Sequence, residues 1–333
     1  MKSILLSDRI NMLEYVYSEK VISILVAGAG LDRNFYNSQD IRNNIESFAH
    51  TEYIFSTWGM PVFTEEEIKQ YFPKLRAVFY AAGSVQNFAR PFLNSGVKVF
   101  SAWAANAVPV AEYAVAQIIL ANKGFFKTMF ISNREDYAKM AKEFKLYSGN
   151  YGAKIGIIGA GMIGKLVIKT LKSYNLDVLV FDPFLSEEDA DKLEVKKTTL
   201  KNLFEECNVV SNHLADNEQT KGMLNGELFS KLPPYATFLN TGRGAQVVEK
   251  DLIQVLKSRK DIVAVLDVTS PEPPMDNSEL YSLENCILTP HIAGSSGNEV
   301  HRMAEYMFNE FEAYINDRPL RYEVTEKMLQ IMA

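Results

Sequence analysis

Three glycines, at positions 159, 161 and 164, follow directly on the β-branched run Lys154-Ile155-Gly156-Ile157-Ile158. A strand followed by G-x-G-x-x-G suits the pyrophosphate of a dinucleotide. The first glycine makes the tight turn, the second lets backbone approach the phosphates, and the third lets the next helix pack on the strand. Met162 and Ile163 complete that turn, and a helix is expected from Lys165, its N-terminus facing the negative charge. Asp182 closes the next apolar run, 176–181, 18 positions after Gly164. A carboxylate there accepts hydrogen bonds from a ribose 2′-OH and repels a 2′-phosphate. Residues 183–189 contain no arginine to hold such a phosphate, so NAD is expected over NADP. A second glycine pair, Ala27-Gly28-Ala29-Gly30, has Arg33 where the third glycine would stand. It is expected to be an ordinary turn ending a strand at 22–26.

Further along, three segments stand at the ends of expected strands: Asn240-Thr241-Gly242-Arg243-Gly244, Leu266-Asp267-Val268-Thr269-Ser270-Pro271-Glu272-Pro273, and Thr289-Pro290-His291-Ile292-Ala293-Gly294. Ligands of open parallel sheets bind beyond the carboxyl ends of the strands. An arginine, a carboxylate and a histidine are thereby sent toward one crevice beside the nicotinamide. Together they suit reduction of a keto acid. His291 can protonate the carbonyl oxygen that receives a hydride, since imidazole titrates near neutral pH. Glu272 can hydrogen-bond the far ring nitrogen and orient it. Arg243 can hold a substrate carboxylate and polarise the carbonyl. Each alone has a plainer reading, as a turn residue, a solvated loop glutamate or a structural histidine. Their succession at consecutive strand ends favours the chemistry.

The elements that must position these groups are legible as short apolar runs at 154–158, 176–181, 209–213, 236–240, 262–267 and 287–289, separated by helical patterns such as 165–174 and 250–258. Such alternation marks a parallel sheet covered on both faces. Looser runs at 4–6, 22–26, 53–55, 77–80 and 97–100 point to a second, smaller α/β unit. Between them, 106–123 reads as an Ala/Val/Ile-rich helix with Asn106 as N-cap and Gly124 as stop. A helix from about Gly297, with Val300, Met303, Ala304, Met307 and Phe308 on one face, is expected to return to the first unit. The fold class is therefore α/β with two Rossmann-like domains. Residues 105–297 are expected to form the doubly wound NAD-binding domain, and 1–104 plus 298–333 the smaller unit. The 333 residues are 47% apolar, ample for two cores, and the net charge of −6 speaks against nucleic acid or an anionic membrane as partner. No stretch is expected to reach the roughly 18 apolar residues of a membrane span. The opening residues are too short an apolar run for a signal peptide, so a cytoplasmic location is the default expectation. The two cysteines, Cys207 and Cys286, lack metal-ligand spacing and read as reduced core residues; no metal site is expected.

These segments resemble the D-isomer-specific 2-hydroxyacid dehydrogenase family, which includes glycerate, phosphoglycerate, glyoxylate and D-lactate dehydrogenases. The likeness runs from about Leu75 to His301 and includes 106–120, with Val110-Ala111-Glu112, as the interdomain helix. It implies Arg243, Glu272 and His291 as the catalytic set and Asp267 near the nicotinamide carboxamide. Thr241, His291 and Gly294 join Gly159, Gly161, Met162, Ile163, Gly164 and Asp182 on the cofactor side. It also implies a flavodoxin-like, substrate-binding first domain completed by the C-terminal helix, and a carboxylate-binding loop at Tyr80-Ala81-Ala82-Gly83-Ser84-Val85, with Gly83 and Ser84 as substrate-binding residues. The expected ligands are NAD and a small 2-keto or 2-hydroxy acid, and the expected assembly is a homodimer burying the 106–123 region. Departures from the family pattern fall at Ala215, Thr269, Gln86 and Asn87, which leaves the identity of the acid open. His213 is expected to be a cofactor-side wall or a packed residue. Trp58, Tyr80 and Trp103 are candidates to line a larger pocket. Formate dehydrogenase chemistry is disfavoured by Glu272, where that family carries glutamine. The alternative from another class is an NADH-sensing, corepressor-like binding protein on the same fold.

Overall fold

The computed structural model describes residues 2–330. The chain divides into two compact units, Met1–Asn106 with Ser295–Ala333, and Ala107–Gly294. In chain order the first unit begins with β1 (Ser3–Leu6), β2 (Leu31–Tyr36), β3 (Tyr53–Ser56), β4 (Ala77–Tyr80) and β5 (Lys98–Ser101). The second holds β6 (Tyr151–Ile158), β7 (Asn175–Phe181), β8 (Lys196–Lys197), β9 (Val209–Asn212), β10 (Thr237–Asn240), β11 (Val263–Leu266) and β12 (Cys286–Leu288); β13 (Glu323–Val324) returns to the first.

In the second unit the described strands run in the order β12-β11-β10-β9-β6-β7-β8, all parallel. The order reverses between β6 and β9, which is the doubly wound arrangement with its ligand crevice at that point. Alternate residues feed two cores. Ile155, Ile157, Val180, Val209, Leu239 and Val265 pack on one face with Val167, Ile168 and Leu171. Ile158, Leu179, Val210, Phe238 and Leu266 pack on the other with Leu203, Phe204, Leu252 and Leu256. Burial on both faces explains why these strands read as unbroken apolar runs.

The first unit follows the order β13-β5-β4-β3-β1-β2, with β13 antiparallel to β5 and the rest parallel. It is a flavodoxin-like sheet with an added edge strand. Helix Glu299–Ile315 covers one face through Val300, Met303, Ala304, Met307 and Phe311. The Phe311 ring meets Tyr53, Phe55 and Phe79 edge-on at 5.2, 5.5 and 5.5 Å. Phe79 in turn stacks between Phe55 and Phe100. Phe308, expected on the buried stripe, is only partly buried, and Phe311 takes the deep position one turn on.

Several expectations are corrected. Residues 22–26 are not a strand but part of helix Glu19–Ala29, which Ser18 caps at Val21 N–H and Gly30 ends in the left-handed conformation. Ala27-Gly28-Ala29 is therefore the last turn of a helix. Helix Trp103–Ala121 starts before Asn106, so Asn106 lies within it instead of capping it. That helix is 19 residues long and apolar enough to cross a membrane by length and composition, contrary to the expected absence of such a stretch. Half of its apolar window is buried, with Ala111, Ala114, Val115 and Ile118 in the core of the second unit. The Asn106 side chain instead accepts the Ser295 N–H at 2.9 Å, joining the two points at which the first unit's chain breaks off and resumes.

Candidate active site

The glycine turn leaves β6 at Ile158. Gly159 has φ +89°, and a Cβ there would lie 3.0 Å from the His213 carbonyl oxygen. At Gly164 a Cβ would come within 2.0 Å of the Gly159 carbonyl oxygen, so only glycine lets the helix approach the turn. Gly161, by contrast, faces open space. The helix Met162–Leu171 starts three residues earlier than expected, with Gly161 as its N-cap, no side-chain cap and no acidic residue in its first turn. Its leading N–H groups are thus left for an anion. Asp182 lies at the end of β7, its Oδ2 accepting Ala160 N–H at 2.6 Å and its Oδ1 accepting Phe184 N–H at 2.7 Å. Each oxygen retains a lone pair for a further donor. An open glycine, an uncapped helix start and a fixed carboxylate fit a dinucleotide. Met162 is exposed at the turn, and Ile163 packs against the core.

Arg243, Glu272 and His291 follow β10, β11 and β12. Glu272 Oε1 lies 2.7 Å from His291 Nδ1, and both side chains are roughly half exposed. A pair so exposed adds little to stability, so its consequence is orientation of the ring. His291 itself adopts φ +54°, a left-handed conformation costing about 1–2 kcal/mol for a residue with a Cβ. The buried Asp267 holds it there. His291 N–H donates to the Asp267 carbonyl, and the Asp267 carboxylate accepts Ile292 N–H at 2.9 Å, Ala293 N–H at 3.0 Å and the Thr289 hydroxyl at 2.5 Å. Because Thr289 spends its proton on Asp267, the Tyr113 hydroxyl donates to Thr289, at 3.1 Å. Asp267 is thus placed as the clamp of the histidine loop, and Gly294 closes that loop half-buried.

The arginine loop abuts the glutamate loop: a Cβ on Gly244 would lie 1.9 Å from the Thr269 carbonyl carbon. Arg243 Nη1 donates to the Gly242 carbonyl at 2.8 Å, and among the described residues no carboxylate pairs with the guanidinium. A half-buried arginine without a counter-ion suits an anionic ligand. Beneath the loop lie three fully buried amides, Asn212, Asn240 and Gln246. Sequence reading missed them, along with Thr289 and Tyr113. A lone amide at a strand end carries no motif, and the only available signal was a polar residue inside an apolar run, as at Asn212.

His213 is packed between Ser211 Oγ, 2.9 Å from Nε2, and Thr241 Oγ1, 3.1 Å from Nδ1. Burial pulls its pKa down to about 3, so the ring is neutral. The Thr241 hydroxyl is correspondingly engaged by the protein itself.

In the first unit, Gly83 and Ser84 follow β4. The Ser101 hydroxyl lies within donating distance of the Ala82 and Gly83 carbonyls, at 2.9 and 2.6 Å. Among the described residues no acceptor takes the N–H of Gly83 or Ser84. Of the three aromatic candidates, Tyr80 is a core residue packed on Phe88 at 4.8 Å, its hydroxyl pushed up to about 12 by burial. Trp103 packs edge-on to Tyr322, and Trp58 is partly buried against the cores on the two faces of the first unit's own sheet.

Residues 117–293 match the family model described as "D-isomer specific 2-hydroxyacid dehydrogenase, NAD binding domain". A Bacillus subtilis protein named as a 2-hydroxyacid dehydrogenase, YoaD, is 33% identical over 212 residues, covering 60% of this chain and 59% of that one. Glyoxylate reductase of Korarchaeum cryptofilum is 30% identical over 254 residues, covering 75% and 76%. The solved structure of D-mandelate dehydrogenase from Rhodotorula graminis matches with a TM-score of 0.79 at 18% identity, covering 98% of both chains, a likeness of fold. The chain spans about half the length of several curated relatives it matches, from 41% to 59%.

Proposed function

This chain belongs to the family of D-isomer-specific 2-hydroxyacid dehydrogenases, and we propose that it interconverts a small 2-keto acid and the corresponding D-2-hydroxy acid with NAD. The observation that carries this reading is the Glu272–His291 pair at 2.7 Å, on the same sheet edge as an arginine that has no counter-ion among the described residues. Bound NADH supplies the hydride.

The chain's own residues do the rest. Arg243 holds the substrate carboxylate, and its guanidinium draws charge from the adjacent carbonyl as that oxygen becomes an alkoxide. In the first unit, the N–H groups of Gly83 and Ser84 are the groups that bind the acid, a role supported by their lack of a protein acceptor among the described residues. Glu272 engages His291 at Nδ1, which aims Nε2 outward to deliver a proton to the carbonyl oxygen. In the reverse direction Nε2 takes the hydroxyl proton. Asp182 accepts from the ribose 2′-OH, which favours NAD over NADP. Residues 105–297 hold the cofactor, 1–104 with 298–333 hold the acid, and the active form is a homodimer.

The test is NADH oxidation with glyoxylate, hydroxypyruvate, pyruvate and phenylpyruvate. At least one should turn over, and His291→Ala should lower kcat by about 10²-fold or more, the usual weight of a general acid. A wild-type rate in that variant would remove His291 from the mechanism.

A further inference from the structure

We infer that Gln246, seated with Asn212 and Asn240, is a positioning residue for Arg243, an inference that rests on the dehydrogenase reading. Gln246 is fully buried and uses all four of its hydrogen-bonding positions. Its Oε1 accepts Arg243 N–H at 3.1 Å and Asn212 Nδ2 at 2.6 Å. Its Nε2 donates to the Leu214 carbonyl at 3.0 Å and the Ala215 carbonyl at 2.9 Å. Asn240 completes the cradle. Its Oδ1 accepts Gly242 N–H at 3.1 Å and Asn212 Nδ2 at 2.9 Å, and its Nδ2 donates to the Arg243 carbonyl at 3.3 Å.

The backbone of Arg243 is therefore gripped on both sides by buried amides, its N–H by Gln246 and its carbonyl by Asn240. The cradle lies directly beneath Gly242. A Cβ there would sit 2.6 Å from Gln246 Oε1 and 2.8 Å from Asn212 Nδ2. A fully satisfied buried network of this kind is rigid, because any member that moves leaves a partner unpaired in low dielectric. An apolar side chain at 246 would fill the volume but release Arg243 N–H. The same amide ties the loop to the chain leaving β9, so the wall beyond His213 and the arginine that follows β10 are set by one group.

The test compares wild type with Gln246→Leu and the milder Asn212→Ser. NADH affinity, read by fluorescence titration, should stay within about twofold in both variants, since the glycine turn is untouched. The KM for the best of the four keto acids, and the inhibition constant of oxamate, should rise by about tenfold or more in Gln246→Leu, as expected when an anchoring group drifts by a fraction of an ångström. Amide exchange at Arg243 N–H should accelerate in the same variant. A lowered Tm with wild-type KM, oxamate inhibition and exchange would overturn the inference and leave the network merely structural. Should Gln246→Leu not fold, Asn212→Ser is judged by the same readouts with smaller shifts. Should wild type bind NADH yet reduce none of the acids, the dehydrogenase reading fails. Exchange at Arg243 N–H then decides the positioning role, unchanged exchange overturning it.

Discussion

Replacing His213 by asparagine tests how the wall beside the glycine turn is held. The native ring is buried between two hydroxyls, with its pKa pulled from 6.5 to about 3. The folded protein therefore binds this imidazole neutral, while the unfolded chain protonates it near its ordinary value. Stability from this group is complete above pH 6.5 and is lost as pH falls below it, down to about 3. At about 1.4 kcal/mol per pH unit, lowering pH from 7.5 to 5 costs about 2 kcal/mol through His213 alone. In His213→Asn this contribution disappears, so the unfolding free energy of the variant should fall by about 2 kcal/mol less over the same interval. Other titrations cancel in the comparison, because they are common to both proteins. Urea unfolding followed by far-UV circular dichroism is the assay; tryptophan emission is unsuitable, since Trp58 and Trp103 both lie in the first unit. Parallel stability curves for the two proteins between pH 7.5 and 5 would refute the claim that His213 is held neutral by burial.

Gly244→Ala would drive a Cβ into the Thr269 carbonyl carbon at 1.9 Å. Backbone cannot swing aside, so the expected cost is about 1–3 kcal/mol of stability with a parallel loss of keto-acid reduction. An unchanged Tm would contradict it. Asp182→Ala should shift the ratio of NADPH to NADH affinity by about tenfold toward NADPH, as a charged hydrogen-bond acceptor is lost. Fluorescence titration with both cofactors decides it, an unaltered ratio counting against the ribose contact. Both cysteine thiols are pushed up to about 12 by burial. Neither should react with Ellman's reagent at pH 8 in the folded protein, and both should react after denaturation; fast labelling of the native chain would show that the sites open.

The second unit was far easier to read than the first, and the reason is burial. Strands such as β9, β10 and β11 are buried at every residue, so each reads as a continuous apolar run between turn residues. β2 is an edge strand whose sequence Leu-Asp-Arg-Asn-Phe-Tyr buries only Leu31, and it gave no such signal. The error at 22–26 has the same root. Ile-Ser-Ile-Leu-Val fits a strand over five residues, and only the longer spacing of Val21, Ile22, Leu25 and Ala29, bracketed by Ser18 and Gly30, identifies a helix. At the site, the ends of β10, β11 and β12 made the proximity of Glu272 and His291 readable, because parallel strands deliver their following residues to one edge. The supporting residues were not readable. Asn212 and Gln246 meet only in three dimensions, 34 positions apart, and Asp267 reveals its hold on the histidine loop only through N–H groups that any sequence would supply.

The split of the first unit has a consequence for the order in which the protein can be made. On a ribosome the second unit is synthesised without interruption and has its last strand by Leu288. The first unit has five strands early, and helices Ile10–Val16 and Glu19–Ala29 cover part of the face that holds Phe55, Phe79 and Phe100, but the rest of that face waits for the helix ending at Ile315. The edge beyond β5 likewise stays open until Glu323 and Val324 arrive to pair with it. The nascent chain must therefore carry a partly covered aromatic sheet face and a bare strand edge while the whole of the second unit is produced, the kind of surface that recruits chaperones or other nascent chains. A translation stop just after Gly294 would release a finished second unit joined to a sheet that lacks its last helix and its last strand.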